Sequence, residues 1–232
     1  MNIGGHRGVA VAAVIGAIIG LAGCQGASTR AAQKPADKET ITGLAGQAGT
    51  GGLGGACVFV KPDGAQKFGH VGWGFRVAGT DRWVYGAVEN PSGRLYTRPG
   101  GDIGAWHAEG SYDRMLSEMS RDALPHSRLR STGGTPIPGE SEHPYSRYRC
   151  TNSSTYDVTA ARAMIREVEA RGFLVGFDPK TGDLTSRDCL DATYDVLKAY
   201  RTKGLTRADK LSVPNVWVEL LWDWSDKRLT PR

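Results

Sequence analysis

Three turn signals in quick succession constrain the fold of this chain more than any other feature. "PDG" at Pro62–Gly64, "AGTD" at Ala78–Asp81 and "NPSG" at Asn90–Gly93 punctuate segments rich in β-branched and aromatic residues. Connections this short reverse a strand, because parallel neighbours need a crossover of about a dozen residues or more. Ala56–Pro62, Phe68–Val77 and Arg82–Asn90 are therefore expected as strands of an antiparallel sheet, and "RLYTRP", Arg94–Pro99, as a fourth. A tight turn at "AGTD" places roughly Trp83 to Tyr85 opposite Val77 to Phe75. Glycines at 69, 72 and 74 mark places where the sheet needs close approach.

The pattern then becomes helical. In "GSYDRMLSEMS", Tyr112, Met115, Leu116 and Met119 recur at helical spacing behind a candidate N-cap, Ser111. Leu124–Pro144 is rich in Pro, Gly, Ser and His and reads as a long loop, a candidate lid. "TYDVTAARAMIREVEARGF" is the clearest helix, with Val158, Ala161, Met164, Ile165 and Val168 on one face and Gly172 as its stop. "FLVGFDPKTGD" reads as a short strand and turn leading into another helix, and Val213–Arg232 as a last helix or strand. The fold class expected is α+β, an antiparallel sheet packed on helices.

Ahead of this domain, "MNIGGHRGVAVAAVIGAIIGLAGCQG" has a short cationic lead, His6 and Arg7, and an apolar run from Gly8 to Gly20. That run is too short for a spanning helix, which needs about 20 apolar residues, and has the form of a secretory signal. The following "LAGC" resembles a bacterial lipobox, which implies cleavage after Gly23 and a diacylglycerol on Cys24. The expected organisation is a lipoprotein signal peptide over 1–23, a lipidated Cys24 with a flexible tether over 24–55, and one domain over 56–232. The tether is Gly/Ala-rich, with too few large apolar residues to offset the entropy of ordering it. These features place the protein on a membrane through its lipid, facing the periplasm or exterior. Losing residues 1–23 removes Arg7 alone among the charges, so the formal charge falls from +5 to +4. That mild excess forms no dense basic block interleaved with aromatics, and nucleic acid is not an expected partner.

Three cysteines follow Cys24: Cys57, Cys150 and Cys189. In an oxidising compartment an odd number leaves one thiol free or paired to another chain. Three pairings are open. Cys150 sits in a polar stretch, "YRCTNSSTYD", which reads as loop and suits a disulfide with Cys57. Cys189, in "SRDCLDATYDVLKAY", stands where a helix begins behind two N-cap types, Ser186 and Asp188, with Thr193, Val196, Leu197 and Tyr200 on one face. A thiol in a first turn feels the positive end of the helix dipole, which favours the nucleophilic thiolate. The first-turn N–H groups suit a developing oxyanion. The base this chemistry needs is His70, in "FGHVGWGF", and Glu89, in "YGAVEN", is the carboxylate that would orient it. Each residue also has a plain structural reading: a packed core cysteine, a structural strand histidine, a solvated glutamate.

The segments "GHVGWGF", "YGAVEN" and "RDCLDATYDVLKAY", in that order, resemble the circularly permuted papain-like hydrolases of the NlpC/P60 superfamily. That group includes lecithin retinol acyltransferase-like proteins and bacterial lipoproteins of the YiiX/YaeF type. In it the histidine strand precedes the cysteine helix. The resemblance spans about residues 56–204 and implies Cys189 as nucleophile, His70 as base and Glu89 as third polar group. It departs from the family pattern at Asp188, where "NC" or "CS" is common at the nucleophile, and in the loop 124–144. A thiol hydrolase or acyltransferase is then expected, acting on an amide or ester carbonyl of cell-wall peptide or lipid through a thioester. The competing expectation is a non-catalytic envelope lipoprotein using the same fold to bind or support. His107, His126 and His143 are weaker candidate bases, and Cys150 a rival nucleophile. No Cys/His spacing suggests zinc, and "TGGLGG" lies in the tether, so no metal or cofactor is expected.

Overall fold

The short connections between the first strands force reversal of the chain. In the computed structural model, which describes residues 53–89, 96, 104–121, 144–209 and 212–230, β1 (Gly54–Lys61), β2 (His70–Val77) and β3 (Arg82–Glu89) are antiparallel neighbours. β4 (Gly104–Gly110) adds beside β3, and β5 (Arg147–Ser153) beside β1, with β8 (Ser225–Arg228) outermost. The result is a six-stranded antiparallel sheet ordered β4-β3-β2-β1-β5-β8. Four α-helices accompany it among the described residues: α1 (Tyr112–Met119), α2 (Val158–Ala170), α3 (Cys189–Ala199) and α4 (Pro214–Glu219). A separate hairpin, β6 (Leu174–Phe177) with β7 (Leu184–Arg187), leads into α3. The chain is α+β.

Both helix starts follow from their capping residues. The Ser111 hydroxyl accepts from Arg114 N at the head of α1, and Asp157 Oδ1 accepts from Ala160 N at the head of α2. Gly172, just past α2, takes a left-handed φ of 78° that ends the helix. The tail segment holds both a helix, α4, and a strand, β8.

The sheet is covered on both faces. On one side Val58, Val60, Val71, Trp73, Phe75 and Val84 meet the apolar stripes of α2, α3 and α4. On the other, Phe59, Trp83, Tyr85, Ala87 and Trp106 lie under α1 and the Tyr145–Tyr148 segment. Double coverage explains why β1 is apolar almost continuously rather than alternating. It also explains two glycines. A Cβ at Gly72 would stand 2.8 Å from the Gly86 carbonyl and 3.1 Å from both Met119 Cε and the Tyr145 hydroxyl. One at Gly54 would stand 2.6 Å from the Tyr200 hydroxyl.

Four expectations need correction or relocation. β1 starts at Gly54, inside the segment assigned to the tether, because Gly55 N donates to the Tyr200 hydroxyl and extends the ladder to β5. The register of β2 and β3 is one residue from that expected: Arg82 opposes Val77, and Trp83 opposes Arg76. Thr80 is the cause, since its hydroxyl donates to Val77 O and accepts from Arg82 N, closing a four-residue loop over Ala78–Asp81. Cys150 lies in β5 and not in a loop. Its strand is hard to read because Arg147 and Arg149 interrupt it, each held by Glu219 and Asp226 from the α4–β8 region. Of the expected strand Arg94–Pro99 only Tyr96 is described, as an isolated bridge to Leu174. Residues 1–52, including Cys24, and the loop residues 124–143, including His126 and His143, lie outside the described residues.

Candidate active site

Asp188 determines where Cys189 sits. It is the N-cap of α3, its Oδ1 accepting from Leu190 N at 2.8 Å and Asp191 N at 3.0 Å. Asp191 closes a capping box by accepting from Asp188 N at 3.3 Å. Ser186, the other candidate cap, belongs to β7. Cys189 is thereby the first helical residue, and the apolar face behind it, Val196, Leu197 and Tyr200, is fully buried against the sheet. The Tyr200 hydroxyl donates to Arg76 O at 2.7 Å, which ties the far end of the helix to β2. One expectation changes here. Two of the first-turn N–H groups, those of Leu190 and Asp191, are already used by Asp188, so they are not oxyanion donors. The cap leaves the Cys189 N–H unused.

His70 opens β2, and the observed register brings Glu89 across from it. The ladder between β2 and β3 runs as far as Gly72–Ala87; continued by two residues, it pairs His70 with Glu89 on one face of the sheet. A slip of one residue would have sent the carboxylate to the opposite face. His70 Nε2 lies 3.1 Å from Glu89 Oε2. That separation is a close ion-pair contact. With Nε2 facing Glu89, Nδ1 is the ring nitrogen left for the Cys189 sulfur, which is near enough to raise the proton affinity of His70. The Val71 backbone also favours the ionised form of Cys189. Glu89 Oε1 accepts from the indole N–H of Trp106 at 3.0 Å. All four side chains are buried: Cys189 is 6% exposed, His70 3%, Trp106 3% and Glu89 0%.

Burial and charge pull the protons in opposite directions. Desolvation lowers the affinity of His70 for its proton, but the Glu89 carboxylate and the Cys189 sulfur together outweigh it and hold the imidazole well above its ordinary range. Desolvation pushes the Cys189 thiol up, and the neighbouring imidazole only partly offsets that. Asp188 is raised to about 6, chiefly by its own burial and then by the Asp191 carboxylate. Both shifts favour retention of protons by the pair. One proton must leave the cysteine–histidine pair before the sulfur can attack.

This predicts a pH dependence with a definite sign. Both groups bind protons more tightly folded than unfolded, so their stabilisation is complete below the ordinary histidine value of about 6.5 and declines as pH rises through the folded values. Urea midpoints should fall from neutral into alkaline pH, and less steeply in His70→Gln. Turnover should rise over the same window. An activity limb that is complete below pH 6.5 would contradict this site.

The other sequence candidates are elsewhere. His107 lies on β4 with Nδ1 2.7 Å from Glu169 of α2, and that hydrogen bond raises its proton affinity. Cys150 is disulfide-bonded to Cys57, its direct cross-strand neighbour, and Cys189 is a free thiol. Among the described residues no group of three or more His, Cys, Asp or Glu side chains is gathered as a metal ion would require. Trp106 was not a candidate in the sequence, where "AWHAEG" draws attention to its histidine. Only the pairing of β3 with β4, Ala87 opposite Trp106, brings the indole beside Glu89. Comparison of the chain with family models, curated proteins and solved structures finds no match.

Proposed function

We propose that this chain is a cysteine hydrolase or acyltransferase of the permuted papain-like, NlpC/P60 type, held on a membrane through Cys24 and facing outward. The observation that carries this reading is that His70 lies 3.1 Å from Glu89 and is coupled electrostatically to Cys189, which starts a helix. The order His strand, carboxylate strand, Cys helix supports the permuted arrangement.

In the reaction, the Cys189 thiolate attacks an amide or ester carbonyl carbon, forming a C–S bond. The carbonyl electrons move onto oxygen, for which the Cys189 N–H, not used by the cap, is a donor. Collapse of this intermediate breaks the C–N or C–O bond, and the proton on His70 passes to the leaving amine or alcohol. A thioester remains. Water, or an acceptor hydroxyl or amine, then gives its proton to His70 as it attacks, and the thiol is restored. Glu89 keeps the imidazolium favourable while the charge builds. Cell-wall peptide is the first substrate to try, given the expected location, and lipid esters or amides the second.

A second reading, a non-catalytic envelope module, is favoured by the burial that keeps Cys189 protonated. Incubation with peptidoglycan fragments and with acyl esters, followed by intact mass analysis, separates the two. Product formation with a transient acyl adduct on Cys189 is the expected result. No product and no adduct from either class, with iodoacetamide also failing to label Cys189, would leave the non-catalytic reading.

A further inference from the structure

Glu89 has to present one oxygen to His70, yet it ends β3 on a flexible three-torsion side chain. Its other oxygen accepts from Trp106 Nε1 at 3.0 Å. Trp106 is well placed to act as a fixed donor. It sits opposite Ala87, two residues before Glu89, so the two side chains share a face as diagonal neighbours. Its indole is 3% exposed and meets the Tyr85 ring edge-on, with centroids 6.3 Å apart. Tyr85 is in turn anchored by donating to Glu118 of α1 at 2.7 Å.

We infer that Trp106 is a positioning residue: by holding Glu89 Oε1 it aims Oε2 at His70 Nε2, and so keeps the imidazole turned with Nδ1 to the Cys189 sulfur. The 3.1 Å separation of His70 Nε2 from Glu89 Oε2 makes this control consequential, since a small swing of the carboxylate breaks so close a contact. The charged and titratable groups around the ring are Glu89 from β3 and Cys189 from α3, with Asp188 acting on the sulfur, while Tyr145 offers its ring face at 5.7 Å. The inference rests on the proposed site, but its test does not require turnover.

The ring signal of His70, assigned by its loss in His70→Gln, is titrated by NMR in the folded full-length protein. In Trp106→Phe the midpoint should fall by about one pH unit or more toward the ordinary histidine value. Glu89→Gln should lower it further, and Trp106→Phe added to Glu89→Gln should produce no additional shift, because the indole acts through the carboxylate. Should Trp106→Phe fail to fold, benzothienylalanine at position 106 replaces the N–H by sulfur at nearly constant shape and should give the same fall. A midpoint that is unchanged or raised in the single variant, or equal additional shifts in both backgrounds, would overturn the inference. If the protein proves to have no hydrolase activity, the titration result stands by itself.

Discussion

Replacement of Cys189 by alanine is expected to lower kcat/KM by about 10⁴-fold or more, the usual cost of deleting a covalent nucleophile whose binding site survives. The fold should tolerate the change. Cys189 is buried, but only its sulfur is lost, and the capping box that starts α3 is built by Asp188 and Asp191. Circular dichroism and the urea midpoint should therefore stay near wild type while turnover vanishes. The same variant should lose the iodoacetamide label from position 189, leaving the disulfide-bonded cysteines unmodified. Normal hydrolysis by Cys189→Ala, with a normal acyl adduct elsewhere, would end the proposed mechanism.

Loss of the Cys57–Cys150 bridge should produce the largest effect on stability. The two residues are 93 apart in sequence, and closing a loop of that length removes about 4–5 kcal/mol of unfolded-state entropy. For a domain of this size that corresponds to a melting temperature lower by about 10–18 °C. The variant Cys57→Ala/Cys150→Ala should show this fall in a thermal scan. A change under about 1 kcal/mol would mean that the β1–β5 ladder and the Arg149–Leu221 contact hold the pair without the bond. Both cysteines are buried, at 0% and 2% exposure, so reduction of the folded protein should be slow relative to reduction in denaturant. Because β1 is also the partner that registers Lys61 against His70, the loss should bring down activity at temperatures where the wild type still works.

How much of this was legible beforehand depended on how local the determining contacts are. The helix starts at Ser111 and Asp188 were readable because a cap is a contact between residues two or three apart. The antiparallel order of β1, β2 and β3 was readable because their connections are too short for a crossover. β5 was not, because its polar residues are satisfied by Glu219, Leu221 and Asp226, some 70 residues later. The register of β2 on β3 was missed by one residue because Thr80 closes the loop with its side chain, a choice that turn composition does not specify.

The site divides along the same line. His70, Glu89 and Cys189 stood out by residue type and position, each from its own segment. Whether they meet was undecided, since a strand register alternates faces with every residue and one slip would have separated Glu89 from His70. The oxyanion donors were over-counted for a related reason, as the aspartate that starts the helix also consumes two of its free N–H groups. Sequence alone determined the elements whose stabilising contacts lie within a turn or two of chain: the hairpins, the caps, and a cysteine at a helix start. The tertiary structure alone decided which buried charges face each other. It also decided that a tryptophan on β4 stands behind the carboxylate. Those outcomes depend on packing between residues far apart in the chain, where no local propensity carries the information.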